Sequence, residues 1–212
     1  MTKISVSLLS VRDKLKEKTI EMDKLNIDYI HIDVMDGKFV TNTAFTIEEA
    51  LLVREYTNKP FDIHLMVENI DEYVDMYSKL KPEYITFHYE AMKDINIIKK
   101  IKDMGIKCGI SIKPNTKVRK IYNLLPYIDL VLVMSVEPGM GGQKFIPNSL
   151  RKISKLRKKI DSKKLNVLIS VDGGINNSSA TKCIESGVDI LAIGSALTNN
   201  EKGEELVDFI KM

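Results

Sequence analysis

The sequence predicts an α/β protein, a single-domain (βα)8 TIM barrel over residues 1–212. Three observations carry that expectation. Short β-branched runs alternate with longer amphipathic segments from end to end, a weak internal echo recurs along the chain, and all three histidines fall where strand runs finish. The strand runs are 4–8, 29–33, 61–66, 84–88, 107–112, 130–134, 167–171 and 190–193. Their near-continuous apolar character suits strands buried on both faces, as in a parallel sheet. Between them lie helical patterns. In 94–105, Ile97, Ile98, Ile101 and Met104 share one face, while Lys99, Lys100, Lys102 and Asp103 mostly point away. Asp94 can cap the start of that helix, and Gly105 can supply the left-handed residue just past its end. Residues 149–160 repeat the design, with Ile153, Leu156 and Ile160 inward and a basic outer surface. The resulting expectation is eight strands and eight helices.

The echo supports the same count. Leu25-Asn26-Ile27-Asp28-Tyr29-Ile30 resembles Leu80-Lys81-Pro82-Glu83-Tyr84-Ile85, and the pattern returns at Ile128-Asp129-Leu130-Val131 and Val188-Asp189-Ile190-Leu191. Its acids recur about every 54 residues, twice the length of roughly 26 for one unit in an eightfold barrel of this size, so they mark the even-numbered strands. A barrel whose interior layers are filled by alternate strands is the natural host for that period. A doubly wound sheet would need a nucleotide-type glycine loop after the first strand, and Leu8-Leu9-Ser10-Val11-Arg12 is not one.

Composition narrows the function. A chain of 212 residues can bury one sizeable core. A balance of 32 basic and 29 acidic residues offers no electrostatic footprint for nucleic acid. Cys108 and Cys183 cannot build a disulfide framework. Met1-Thr2-Lys3 leads into a strand without a signal-peptide pattern, and no apolar run approaches the roughly 20 residues needed to cross a bilayer. The expectation is a soluble, cytoplasmic protein without a nucleic-acid or membrane partner.

In such a barrel the chemistry lies where strands end and βα loops begin. His31 and Asp33 are two apart on one strand, so their side chains project to the same side. His64 ends the neighbouring strand and Asp172 the seventh, across the mouth. Two imidazoles and two carboxylates form a mixed N/O donor set for one divalent transition metal ion, with no thiolate to select a soft one. Zinc, iron(II), manganese and cobalt all suit it. The plainer alternative is a pair of satisfied core histidines with two helix-capping aspartates, and it is the joint placement at one end that favours a site.

Gly173-Gly174, before the helix start at 176–179, and Gly194-Ser195, before the last helix, both expose backbone N–H groups in the loops where this fold habitually holds phosphate. Gly139-Met140-Gly141-Gly142 can bring mobile main chain over the same anion. Met35, Met66 and Met134 follow three strands to that end, as core filler or as a soft, weakly polar floor beneath a substrate. Lys113 ends the fifth strand and is a candidate Schiff-base lysine, although Pro114 and Asn115 indicate an ordinary turn there.

Taken together, His31-Ile32-Asp33-Val34-Met35-Asp36-Gly37, His64-Leu65-Met66-Val67, the run from Met134 to Gln143, and Val171-Asp172-Gly173-Gly174 resemble the ribulose-phosphate 3-epimerase family in order and spacing, over essentially the whole chain. The resemblance implies a barrel enzyme with a catalytic divalent metal that inverts C3 of a ketose phosphate, interconverting D-ribulose 5-phosphate and D-xylulose 5-phosphate. It makes His31, Asp33, His64 and Asp172 the metal ligands, and Asp33 and Asp172 the acid/base pair. Ser7, His64, Gly139, Met140, Gly141, Gly142, Gly173, Gly174, Gly194 and Ser195 match its substrate and phosphate contacts, and it suggests a homo-oligomer. The chain departs from the family pattern at Val6 and Thr41, where proline is usual, in the stretch 43–46, which lacks a usual Gly-Pro, and at Met140, in place of a common phenylalanine. Alternatives are a D-allulose-6-phosphate 3-epimerase, a non-catalytic phosphosugar-binding barrel, which would have no need of acids on two faces, and a related decarboxylase, whose Asp-x-Lys pattern is missing at Asp33-Val34-Met35.

Overall fold

In the computed structural model, which describes residues 1–200 and 203–212, the apolar runs become eight parallel strands. They are β1 (Lys3–Ser7), β2 (Tyr29–Asp36), β3 (Phe61–Met66), β4 (Tyr84–His88), β5 (Lys107–Ile112), β6 (Leu130–Met134), β7 (Leu168–Asp172) and β8 (Ile190–Ile193). Each pairs with its neighbours in the chain, and β1 pairs with both β2 and β8, which closes the expected TIM barrel. Helices α1 (Leu15–Asp23), α2 (Ile47–Arg54), α3 (Ile70–Tyr77), α4 (Asn96–Asp103), α5 (Asn148–Ser162), α6 (Asn177–Glu185), α7 (Ser195–Thr198) and α8 (Gly203–Lys211) surround it.

The count of one helix per crossover needs a correction. The β5–β6 connection carries two 3-10 turns, Val118–Ile121 and Leu125–Tyr127, and no α-helix. Pro126 sits at the start of the second 3-10 turn, where it lacks a backbone donor and would break a longer helix running through it. Val118, Ile121, Leu124 and Leu125 are nevertheless buried, so the turns still cover that part of the barrel. Gly105 sits at φ +76 past the end of α4, as the sequence suggests, whereas the N-cap of that helix is Ile95 and the Asp94 carboxylate accepts from Asn96 N at 3.0 Å one residue ahead of the cap. Met104 is 41% exposed instead of facing the core, because the helical turns end at Asp103 and the chain swings away.

The echo acids have a common job at the lower rim. Asp28 accepts from Ile4 N, Asp129 from Cys108 N and Asp189 from Ile169 N, each clipping the start of an even strand to the odd strand before it. Glu83 pairs with Lys107 on the odd strand after it.

Strand alternation then separates two environments. Outward residues such as Ile4, Val6, Ile30, Ile32, Ile63 and Leu65 fill the layer beneath the helices. Inward residues begin with an apolar plug of Tyr29, Tyr84, Leu130, Leu132 and Ile190, the two tyrosine rings meeting edge-on at 5.7 Å. Above it the interior turns polar: Ser5, His31, Asp62, His64, Thr86, His88, Ser111 and Ser170 are all buried. Burying that many polar groups is costly unless each is partnered or has a task.

Candidate active site

Register decides which of these groups meet. Pairing of β2 with β3 sets His31 beside Asp62 and Asp33 beside His64. His31 Nδ1 lies 2.8 Å from Asp62 Oδ2, which also accepts from Ser5 Oγ at 2.9 Å. That carboxylate holds a proton on Nδ1 and leaves Nε2 as the nitrogen that a metal would take. His31 Nε2 is fully buried and makes no hydrogen bond, although Asp33 Oδ1 is 3.3 Å away. The same Asp33 oxygen is 3.1 Å from His64 Nδ1, while Asp33 Oδ2 accepts from Ser7 Oγ at 2.7 Å. Asp172 Oδ2 completes the group at 3.9 Å from His64 Nδ1. One donor atom each from His31, Asp33, His64 and Asp172 lies within 4.8 Å of the others. An orphaned imidazole nitrogen, aimed into a cluster of carboxylate oxygens and oriented by a carboxylate behind it, fits a bound divalent cation.

The two carboxylates are driven apart in acidity. In the metal-free site burial disfavours ionised Asp33, but the charge of protonated His31 and the nearness of His64 outweigh it and hold the carboxyl well below its ordinary range. Asp172 has the opposite balance: burial and the Asp33 charge together push it up to about 6. For His31, burial is overcome by the charges of Asp33 and Asp62, and its pKa is raised well above the usual imidazole value.

Behind this group is a second layer that strand spacing alone did not assign. His64 Nε2 lies 2.9 Å from His88 Nε2, and His88 Nδ1 lies 3.3 Å from Glu90 Oε2. Asp62 and Ser5 were likewise missed. Their signal was available, since Asp62 is two residues before His64 and therefore faces inward with it. Burial pushes His88 down to about 4, against the hydrogen bond to Glu90. A depressed imidazole pKa means that the unfolded chain binds the extra proton first, so this group's contribution to stability is lost as pH falls from 6.5 towards 4. The expected loss in metal-free protein is roughly 3 kcal/mol over that window. Asp172 titrates in the same window with the opposite sign in both proteins, so the effect is read as a difference: urea titrations should show the parent losing more stability than His88→Gln as pH falls, and parallel profiles would contradict it.

Above the donor group opens a cavity of about 540 Å³. Ser7, Asp33, Met35, Met66, Met134, Gly139, Met140, Gly141, Gly142, Asp172, Gly173, Gly174, Gly194 and Ser195 all line it. His31 and His64 do not; both are fully buried beneath its floor. Lys113 is also outside the lining, with its Nζ 3.9 Å from the centre of the Phe39 ring, a position that does not serve a Schiff base in this cavity. Gly174 stands at φ +65, where an added Cβ would lie 2.4 Å from Phe145 N, so only glycine lets these two loops approach. The 139–142 loop is tied to the loop after β2 by Asn42 Nδ2, which donates to Gly139 O at 2.8 Å. Asn176 caps α6 through a reciprocal bond pair with Ser179, which aims the first turn of that helix at the cavity rim.

Comparison with known proteins agrees with this geometry. Residues 3–198 match the model of the ribulose-phosphate 3 epimerase family. Ribulose-phosphate 3-epimerase of Bacillus subtilis is 37% identical over 214 residues, covering 100% of this chain and 99% of its own. The Methanocaldococcus jannaschii enzyme of the same name is 40% identical over 199 residues, covering 93% of this chain and 84% of its own. Among solved structures, KGPDC from Streptococcus mutans superposes with a TM-score of 0.70 at 14% identity, over 100% of this chain and 96% of that one, which speaks for the fold alone. A likeness of that extent at the sequence level, on a barrel that gathers His31, Asp33, His64 and Asp172 at one mouth, is one of kind as well as of fold: the chain belongs to the ribulose-phosphate 3-epimerase family and is an epimerase.

Proposed function

We propose that the chain, acting over residues 1–212 as one catalytic domain, interconverts D-ribulose 5-phosphate and D-xylulose 5-phosphate by two-base proton transfer at C3. One observation carries the reading: Asp33 from β2 and Asp172 from β7 face a single cavity from different walls of the barrel. Inverting a carbinol carbon beside a carbonyl requires removing the C3 proton from one face and delivering another to the opposite face. One base cannot reach both, so two carboxylates on different walls divide the task. Asp33 takes the proton in one direction and Asp172 supplies one from the other side, and the roles exchange in reverse. The species between them is a 2,3-enediolate.

Ser7 Oγ, donating to Asp33 Oδ2, fixes that carboxylate and leaves Oδ1 towards the imidazoles. His31, Asp33, His64 and Asp172 would hold one divalent ion of zinc, iron(II), manganese or cobalt type, which supplies Lewis-acid stabilisation of negative charge developing on the substrate oxygens. Met35, Met66 and Met134 give the reacting carbon a weakly polar surface without exchangeable protons. Backbone N–H groups at Gly173, Gly174, Gly194 and Ser195 are the proposed phosphate cradle, with the 139–142 loop closing over the sugar. Binding at that remote end fixes C3 between the carboxylates.

Deuterium uptake at C3 from solvent tests the reading, with ribulose 5-phosphate and allulose 6-phosphate offered separately, with and without chelator. Expected is fast uptake with the pentulose that chelator abolishes. Preference for the hexulose would move the assignment to the longer sugar, and uptake with neither would leave a binder. No helix among the described residues is long and apolar enough to cross a membrane. The homo-oligomer and the cytoplasmic setting belong to the same proposal; light scattering decides the first, and the two free, buried cysteines suit the second.

A further inference from the structure

We propose that His88 and Glu90 are positioning residues that fix the tautomer of His64, so that its Nδ1 lone pair is presented to the metal position. The inference rests on the metal reading above and concerns residues outside the four ligands. His64 Nε2 and His88 Nε2 are 2.9 Å apart, a distance that accommodates one proton and neither two nor none. Which ring owns that proton is settled at the far end of the relay. His88 Nδ1 faces Glu90 Oε2 at 3.3 Å, and a carboxylate can only accept.

Glu90 is itself anchored, since its Oε1 accepts from Lys113 N at 2.9 Å and from the Thr116 hydroxyl. The Phe39 ring, 4.7 Å from the His88 ring centre, packs against the relay. The proton on His88 therefore sits on Nδ1, its Nε2 accepts from His64 Nε2–H, and His64 Nδ1 is left bare. That bare nitrogen lies 3.1 Å from Asp33 Oδ1, a lone pair set against a carboxylate oxygen, which a cation between them relieves. Asp62 imposes the opposite choice on His31, with its proton on Nδ1 and Nε2 free. The two imidazoles thus offer different nitrogens because two different buried carboxylates stand behind them.

Glu90→Gln tests the relay with almost no change of shape. Its carboxamide NH2 can donate to His88 Nδ1, which moves the ring proton to His88 Nε2 and forces the His64 proton onto the metal-facing nitrogen. Turning the amide the other way would set its NH2 against Lys113 N–H, which cannot accept. Zinc affinity, measured by competition with a chromophoric chelator, should fall by roughly 10- to 100-fold in the variant. Long-range 15N–1H spectra of the zinc-loaded parent, which has only three histidines to assign, should place protons on His88 Nδ1 and His64 Nε2. The spectrum needs no variant, so it decides the matter even if Glu90→Gln folds poorly. Equal zinc affinity in a folded variant, or a proton on His88 Nε2, would overturn the relay while leaving the metal reading intact. Failure of the parent chain to bind zinc would remove both.

Discussion

Asp172→Asn is expected to lower turnover by about 10³- to 10⁴-fold while phosphate-sugar binding survives. The substitution preserves shape, removes the ability to trade a proton at one face of C3 and exchanges one charged metal donor for a neutral amide oxygen, so it is assayed with the divalent ion in excess. The fold should tolerate it, because the residue's structural contacts run through its backbone: Asp172 O accepts from Ser135 N and from Ser135 Oγ. Asp33 stays ionised and oriented by Ser7, so it can still remove and return the proton on its own side. The variant should therefore exchange C3 hydrogen with solvent in one epimer only, without producing the other. Mass spectrometry of each sugar after incubation in D2O, alongside an equilibrium binding measurement, checks this. Near-normal turnover would refute the two-base assignment.

Removal of divalent ions should have an effect of comparable size. A carboxylate, whose ordinary pKa is ~4 and which in Asp33 is held lower still, is a weak base for a carbon-bound proton. Several kcal/mol of stabilisation at the developing negative charge are lost without a cation, which corresponds to roughly 10³-fold in rate. Inside the metal-free site, His31 holds a proton among Asp33 and Asp62, since its pKa is raised well above the usual value. The donor group then stays together, and activity should return when zinc, manganese, cobalt or iron(II) is added back. Elemental analysis of the chelated protein and an assay before and after restoration provide the check. Full activity in protein shown to be metal-free would contradict the role assigned to the four residues.

Much of the site was legible because strand chemistry is local. The spacing of His31 and Asp33 puts both on one face whatever the rest of the chain does, and the glycine pairs announce turns where strands end. What spacing cannot show is which inward residue of one strand sits beside which residue of the next. Asp62 matters because β2 and β3 pair with His31 opposite it, and His88 matters because its ring reaches His64 across the β3–β4 seam. Both facts depend on register, a property of two strands together. The echo acids were visible as a period but not as clips to backbone N–H groups, for the same reason. Counting one helix per crossover overlooks Pro126, which argues against a helix running through the end of the fifth crossover. Within the basic outer surface expected over 149–160, Lys152 is the exception: it is buried, with its Nζ donating to Lys113 O at 2.7 Å, a tertiary contact that helical periodicity does not reveal.

The origin of the hydrogen that arrives at C3 bears most directly on the division of labour between Asp33 and Asp172. Unlabelled ribulose 5-phosphate should be converted in D2O, the reaction stopped within the first few per cent of turnover, and the xylulose 5-phosphate analysed for deuterium at C3. Expected is one deuterium in every product molecule from the outset, delivered by a carboxyl group that has already equilibrated with solvent. Early product that keeps the substrate's own hydrogen would mean that a single group carries the proton from face to face, and the opposed pair of carboxylates would lose its role.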